Sequence, residues 1–477
     1  MANLLRIFYA SLLVVFVAFP VMAFDDYRYV TPDTWSMHAS PGQFKEMYRG
    51  IPIGDANLNL GLTSRYRLRT NDYSSDQDFY QYLRANVDSV KVGQGTMTAT
   101  LFTRFADDID GDSNRDWGDN YYYYYEDSLD KELDDNDWAP RVYQAKFEFK
   151  NVIPNTDITA GRFYLDHLNT FQMDGGDFTV SLGDKVDVYG FGGMPVSYYY
   201  DTDDDFFYGG GVKVQATETT KISGEYIRLD VEDLDDDYTK ARLDQSVPYG
   251  NIAVEYTNLN SASEYLLVGN FEIPTTNTMV NVEYKTLRDE VETDNSYVVN
   301  PLTYALLPEN KYNLLDLSVY QGAGDHLVFG GGYEVRAVDD SDDEDFGNRN
   351  YDRYYGNLDI IGIPTYNTYI SLKADYWDVE ENQDVSSNEK VQYGVEISQK
   401  ISDTVDVWLG TDFSKYEYDY INDRRKDSVR MYYTGGQWEP NNIFSFLVDF
   451  SYEDSEMYDT GDLEEIYTVE AWANIVF

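Results

Sequence analysis

From about Ala56 to the last residue, apolar and polar positions alternate with a period of two. In 56–69, Leu58, Leu60, Leu62, Tyr66 and Leu68 share one face, while Asn57, Asn59, Gly61, Arg65, Arg67 and Arg69 share the other. In 443–453, Phe444, Phe446, Val448, Phe450 and Tyr452 alternate with Ser445, Leu447, Asp449, Ser451 and Glu453. In 466–477, Tyr467, Val469, Ala471, Ala473, Ile475 and Phe477 oppose Thr468, Glu470 and Asn474, with Trp472 and Val476 on that second face. Only an extended strand puts i, i+2 and i+4 on one side, and helical spacing fits none of these runs. The pattern predicts about twenty-two strands, within a range of roughly 18–24. The weakest stretch is 177–192.

The connections alternate too. Short, little-charged turns include Pro154-Asn155-Thr156, Glu218-Thr219-Thr220, Pro248-Tyr249-Gly250, Ala323-Gly324-Asp325 and Ser402-Asp403-Thr404. Between them come longer acidic stretches: 107–137 above all, then 201–205, 230–237, 288–294, 338–345, 379–388 and 453–465. Long loops on one side and tight turns on the other are the layout of a transmembrane barrel. A sandwich or propeller predicts no such two-sided asymmetry. An even strand number also returns the C-terminus to the side from which the first strand starts. The predicted fold is therefore all-β: a single antiparallel barrel over 57–477, with short periplasmic turns and long acidic extracellular loops. Closure has a physical reason, because in hydrocarbon every backbone N–H and C=O needs a partner and only a closed sheet has no edge.

Composition removes other classes. Aspartate and glutamate number 86 against 36 lysines and arginines, a formal charge of −50. Such a chain offers phosphates no broad basic face, so no nucleic acid is expected. Aromatic residues at 16%, with 46 tyrosines, exclude a wholly disordered acidic chain. With no cysteine there are no disulfides, thiolate metal sites, iron–sulfur clusters or covalently attached c-type haem. A mean hydropathy of −0.53 excludes only a helical membrane protein, since a barrel shows its apolar residues at every second position. Tyrosine and tryptophan at strand ends are expected in the interfacial girdles.

Residues 1–23 carry Arg6, an apolar stretch from Ile7 to Phe19 and then Val21-Met22-Ala23. This reads as a signal peptide cleaved near Ala23, since the apolar run falls short of the roughly 18 residues a spanning helix needs. Residues 24–56 form a leader that stays periplasmic, enters the lumen or remains unstructured. It is too short for a globular plug.

The chain resembles Gram-negative outer-membrane barrels of the porin-like kind. The residues that carry the likeness are Tyr467, Val469, Ala471, Ala473, Ile475 and Phe477, an apolar alternation ending in an aromatic. The resemblance implies residence in the outer membrane, contact with its lipid and lipopolysaccharide, and a terminal strand read by the barrel-assembly machinery. It implies a channel passing small hydrophilic solutes or ions passively. The alternative is a sleeve around a periplasmic partner such as a multihaem cytochrome. A surface adhesin or phage-receptor role for the loops is compatible with either.

The polar faces line the lumen. Arg65, Arg67, Arg69, Arg84, Arg104, Lys146, Lys150 and Arg162 concentrate basic charge on the first five strands, and the inward set elsewhere is mixed or acidic. Two readings stand: a basic wall facing an acidic wall, or charges that pair across neighbouring strands. In the longest loop, 13 acidic residues meet only Arg115 and Lys131. Within it Asp108, Asp110, Asp112, Asn114 and Asp116 resemble part of a calcium-binding loop, because hard cations want several oxygens from a flexible turn. The distal glutamate of an EF-hand is missing. The expectation is at most a loosely bound calcium or magnesium, with a solvated acidic loop as the alternative and no other cofactor. The run Tyr121–Tyr125 is either a stacking surface or part of the girdle. No enzyme is expected: histidine occurs only at His38, His167 and His326, and only His167 is placed for a triad, with no nucleophile motif beside it.

Overall fold

The computed structural model describes residues 50–53, 55–71, 75–109, 139–196, 205–231, 234–259, 262–289, 311–338, 350–363, 367–380, 388–420, 423–456 and 463–477. The predicted signal peptide, nearly all of the leader, the Tyr121–Tyr125 run and the cation loop beyond Asp108 lie outside these residues.

Period-two alternation becomes 23 strands in one sheet. They begin β1 (Ile51–Ile53), β2 (Ala56–Thr70), β3 (Ser75–Val92), β4 (Gly95–Asp108), β5 (Ala139–Ile153), β6 (Thr156–Asp166), β7 (Thr170–Leu182) and β8 (Val186–Pro195). There follow β9 (Phe206–Gln215), β10 (Thr220–Val231), β11 (Leu234–Val247), β12 (Gly250–Leu259), β13 (Ala262–Ile273), β14 (Thr278–Leu287), β15 (Tyr312–Ala323) and β16 (Leu327–Val338). The last are β17 (Tyr351–Ile361), β18 (Thr368–Val379), β19 (Asn388–Ser402), β20 (Val405–Tyr420), β21 (Asp423–Trp438), β22 (Phe444–Glu456) and β23 (Leu463–Val476). Each barrel strand pairs antiparallel with the next, and β23 pairs back onto β2, so β2–β23 close a 22-strand barrel.

The seam is bonded like the rest of the wall. Thr63 Oγ1 donates to Asn474 Oδ1 at 2.6 Å, and Asn474 Nδ2 donates to Ser445 Oγ at 3.1 Å. At the turn-side end, the amide of Phe477 donates to Leu60 O at 2.8 Å, and Leu60 N donates back to Phe477 O at 3.2 Å. Below that point β2 outruns β23. The short β1 takes over, pairing Ile51, Pro52 and Ile53 with Leu58, Asn57 and Ala56. It covers the stretch of β2 edge that the C-terminus leaves open, and Pro52, with no amide hydrogen to offer, suits an edge.

Two predicted loops are partly strand. β10 and β11 run to Val231 and from Leu234, through much of the acidic 230–237. β22 and β23 likewise extend into 453–465. Charged side chains marked these stretches as loops, yet above the bilayer water solvates both faces of a hairpin while its ladder continues. β7 and β8 fill the weak stretch, joined by a turn at Gly183.

The outward set is apolar. Leu315, Leu317 and Val319 are exposed on β15, while the intervening Ser318 is buried on the inner side. Outward tyrosines stack in cross-strand rows near the loop-side ends: Tyr333 with Tyr354 (5.0 Å between centroids), Tyr354 with Tyr376 (6.4 Å), Tyr432 with Tyr452 (6.3 Å) and Tyr452 with Tyr467 (5.0 Å). Their hydroxyls reach polar groups nearby, Tyr284 donating to Asn313 Oδ1 and Tyr467 to Glu465 Oε2, each at 3.0 Å. A ring on the apolar side and a hydroxyl on the wet side is what an interface selects.

Leu317→Arg puts a charge on the lipid face, and its unfolding from bilayers is expected to be easier by about 2–4 kcal/mol. Ser318→Arg, one residue along and lumenal, is expected to lie well below that in the same measurement.

Candidate functional site

The inner face is where the sequence can do chemistry, and one hairpin shapes it. β5 pairs with β6 only as far as Ala145 opposite Arg162, and β8 pairs with β7 only as far as Pro195 opposite Met173. Beyond those points, among the described residues, the ladder of β6 and β7 continues between the two around the tip His167-Leu168-Asn169, with one further bond from Val196 N to Gln172 O at 3.3 Å. The tip lies across the inner face of β8–β11. The His167 ring stacks on Tyr189 at 3.8 Å, and His167 Nε2 is 2.7 Å from Asp177 Oδ2. Lys213 Nζ stands 3.3 Å from His167 Nδ1. Leu168 N and Asn169 Nδ2 donate to Glu225 at 3.3 and 2.5 Å, and Tyr238 donates to Asn169 Oδ1 at 3.0 Å.

The sequence folds this way because the hairpin is apolar on the face it turns to the wall. Phe163, Leu165, Phe171 and Met173 bury completely or nearly so against Tyr189, Phe191, Phe207, Ile227, Leu229 and Tyr238. Each such burial contributes about 1.5–3 kcal/mol. The bend starts at Gly161, whose φ of +121° and whose approach to Ala145 O leave no room for a Cβ. The departing hairpin leaves carbonyls of β5 without a strand partner, and side chains take them: Arg162 Nη1 donates to Val142 O at 3.1 Å and Gln172 Nε2 to Tyr143 O at 2.5 Å.

This changes the place of one expected wall residue. Arg162 does not share the inward face. Its register neighbours are Ala145, next to the exposed Leu101, and Asp174, next to the exposed Met194. It pairs with Asp174 through Nε at 2.7 Å and Nη2 at 2.5 Å, at the outer side of the bend. Alternation along β6 itself agrees, since Ile158 and Ala160, in register with Phe149 and the exposed Phe147, share the outward set with Arg162.

The other basic residues line the inner face of β2–β5, and Arg65, Arg67 and Lys146 sit in ion pairs. Arg65 bonds Glu470 at 2.6 Å across the seam and lies over the rings of Trp472 (4.9 Å) and Tyr80 (5.2 Å). Arg67 pairs with Asp76 at 2.8 Å and with the fully buried Asp78. Arg69 stands in register with Asp76, and Arg84 with Gly61 and Phe102. Arg104 lies over Tyr80 at 5.5 Å. Lys146 bonds Glu148 at 3.1 Å, and Lys150 faces Asp157 in register. Asp108 ends β4 on the same inner face, buried and in register with Asp78.

The pairing continues round the wall. Lys240 meets Glu255 at 2.7 Å, Lys285 meets Glu264 at 2.9 Å, and Arg353 meets Asp375 at 2.8 Å. Other inward carboxylates are held by neutral donors. Tyr355 donates to Asp316 at 2.7 Å, Tyr369 and Ser371 to Asp359 at 2.8 and 2.7 Å, and Trp408 Nε1 to Asp449 at 2.9 Å.

No family model and no curated relative matches the chain. Among solved structures it is similar to OccAB1 of Acinetobacter baumannii, at 10% identity and a TM-score of 0.40 over 91% of this chain and 99% of that one. It is similar to OpdK of Pseudomonas aeruginosa solved with vanillate, at 9% and 0.44 over 89% and 100%. The translocation pore of the P pilus usher PapC gives 8% and 0.46 over 87% and 99%. Likenesses this remote leave role and solute to be read from this chain's own wall.

Arg67→Ala is expected to cost about 3–5 kcal/mol in unfolding experiments, because it strands the buried Asp78 and the nearby Asp76 without their cation. Met173→Asp with Phe171→Asp should release the hairpin from the wall, raising single-channel conductance over that of the unaltered protein.

Proposed function

We propose that this protein is a porin-like channel of a Gram-negative outer membrane, passing small hydrophilic solutes or ions by diffusion. The observation that carries the reading is a closed 22-strand wall, apolar outside and polar inside, in which a three-residue tip folds against one sector of the inner face. A barrel of this size encloses more than side chains alone can fill. Among the described residues the β6–β7 hairpin is the element that enters the lumen. It favours a channel over a sleeve, because it takes cross-section that a protein guest would need. In this reading lipid and lipopolysaccharide surround the tyrosine rows, the terminal strand with Phe477 engages the assembly machinery, and no reaction is catalysed.

The same wall predicts a preference. Arg65, Arg67 and Lys146 carry their own counter-charges, so the basic sector attracts anions weakly. Asp316, Asp359 and Asp449 are bonded by groups that leave their negative charge in place. With the acidic loops at one mouth, the summed field favours cations.

Single-channel recording of the purified protein in a planar bilayer under a salt gradient tests both statements. A stable ohmic conductance with a reversal potential on the cation side is the expected result. A well-folded protein that never conducts would refute the channel. Reversal on the anion side would refute the charge argument alone. Neutralising Arg65 and Arg67 together should move the reversal potential further toward cations, because Glu470, Asp76 and Asp78 lose their partners.

A further inference from the structure

Where the β6–β7 hairpin leaves the wall, the lipid side is indented. β6 stands in the ladder with β5 from Thr156 to Arg162 only, seven residues. A tilted strand needs about 9–11 to cross the hydrocarbon. Beside it β5 continues upward to Ala139. A cavity of about 460 Å³ occupies the step, lined by Val142 and Ala145 of β5, Gly161 and Arg162 of β6, and Asp174 and Gly175 of β7.

Register puts this cavity on the outer set. Ala145 stands between Leu101 and Arg162, and Asp174 between Arg162 and Met194, with Leu101 and Met194 both exposed. Val142 pairs with Thr103, which alternates with the exposed Leu101 and Phe105. One rung below, Ala160, Gly176 and Gly192 lie side by side between the exposed Phe147 and Tyr208. A Cβ at Gly176 or Gly192 would meet nothing closer than 3.5 Å, so the cavity runs on into a shallow trough down the outer wall.

Two surroundings decide what fills it. The outer set faces hydrocarbon, and an acyl chain packs against Val142, Ala145 and the trough. Inside the cavity stands an ion pair. Arg162 bonds Asp174 through two nitrogens and reaches Val142 O with a third, yet the two side chains remain 27% and 33% exposed. Charge left against hydrocarbon is costly, so the exposed part of the pair needs a polar group beside it. The pair presents both signs, so an occupant of either net charge meets repulsion as well as attraction. A hydroxyl suits it better, because the same group donates to Asp174 and accepts from Arg162.

We propose that this cavity binds a single-chain amphiphile with an uncharged, hydroxyl-bearing head, entering from the outer leaflet. The head bonds the Arg162–Asp174 pair, and the chain lies along Val142, Ala145 and the trough. The site is on the lipid side and stands whether or not the lumen conducts.

Monodecanoylglycerol is the probe, with decane and decyl sulfate as controls. The chain has no cysteine, so Phe147→Cys carries a single fluorescent label at the lower edge of the cavity, and Leu317→Cys carries the same label on plain lipid-facing wall. Each full barrel is titrated in nanodiscs, after heat-modifiable electrophoretic mobility has shown that it is folded. The expected result is a saturable signal at position 147 and none at 317, with monodecanoylglycerol bound at least about tenfold tighter than either control. Adding Ala145→Trp or Val142→Trp to the Phe147→Cys protein fills the cavity and should weaken that binding about tenfold or more; if one of them fails to fold, the other carries the test. A non-saturating response alike at both positions means partition into the bilayer alone and overturns the proposal. Decane bound as tightly as the probe does so too, because the ion pair would then play no part. Decyl sulfate bound more tightly refutes the uncharged head. Unchanged binding in both tryptophan variants puts the amphiphile elsewhere and overturns the site.

Discussion

Everything in this structure depends on the ladder between β2 and β23. A sheet of 22 strands in hydrocarbon is tenable only if its first and last strands meet, because each unpaired backbone group left facing lipid costs several kcal/mol. The seam therefore carries side-chain bonds beside its backbone ladder, as the rest of the wall does. Thr63, Asn474 and Ser445 add a buried chain of side-chain hydrogen bonds, and Arg65 reaches over to Glu470. Where the C-terminus ends too soon to cover β2, β1 folds back and finishes the edge. The terminal aromatic, the seam bonds and the short first strand are three answers to one demand.

The folded hairpin shows that demand being met where the wall is broken on purpose. Once β6 and β7 leave the ladder, β5 would present bare carbonyls. Arg162 and Gln172 bond them. An arginine on the outer set is costly in itself, and Asp174 bonds it through two nitrogens, the geometry that best offsets the cost of placing a guanidinium there. The apolar cluster inside the lumen follows from the same event. Phe207, Ile227 and Leu229 are lumenal by register yet buried, because the hairpin covers them.

The barrel was legible in the sequence because alternation is a local property that each strand declares independently. Strand number, the two-sided loop pattern and the outward face of β23 all follow from it. The inner face was only half legible. Listing Arg65, Arg67 and Arg69 identifies inward charges, but their partners Glu470, Asp76 and Asp78 lie on other strands, and register is not written in any one segment. The hairpin escaped for a different reason. Phe163-Tyr164-Leu165 and Phe206-Phe207-Tyr208 are apolar on both faces, which is the mark of a strand end covered on both sides, but alternation counting treats such runs as noise. Arg162 reads as inward by its charge, while its parity with Ile158 and Ala160 places it on the outward set.

Pairing within the wall decides what the lumen offers a passing solute. A cation such as Arg67, held by two adjacent carboxylates, presents little net field beyond a Debye length of about 8 Å. Had the basic residues stood opposite a distant acidic wall, the field would have run across the pore, orienting polar solutes without choosing their sign. Charges matched at short range, as at Arg65, Arg67 and Lys146, weaken that transverse field. What remains is the surplus of carboxylates bonded by neutral donors such as tyrosine, serine, asparagine and tryptophan. These donors are neutral and bring no positive charge of their own to Asp316, Asp359 and Asp449. Selectivity in such a barrel is set less by how many charged residues line it than by which of them are left to face the water.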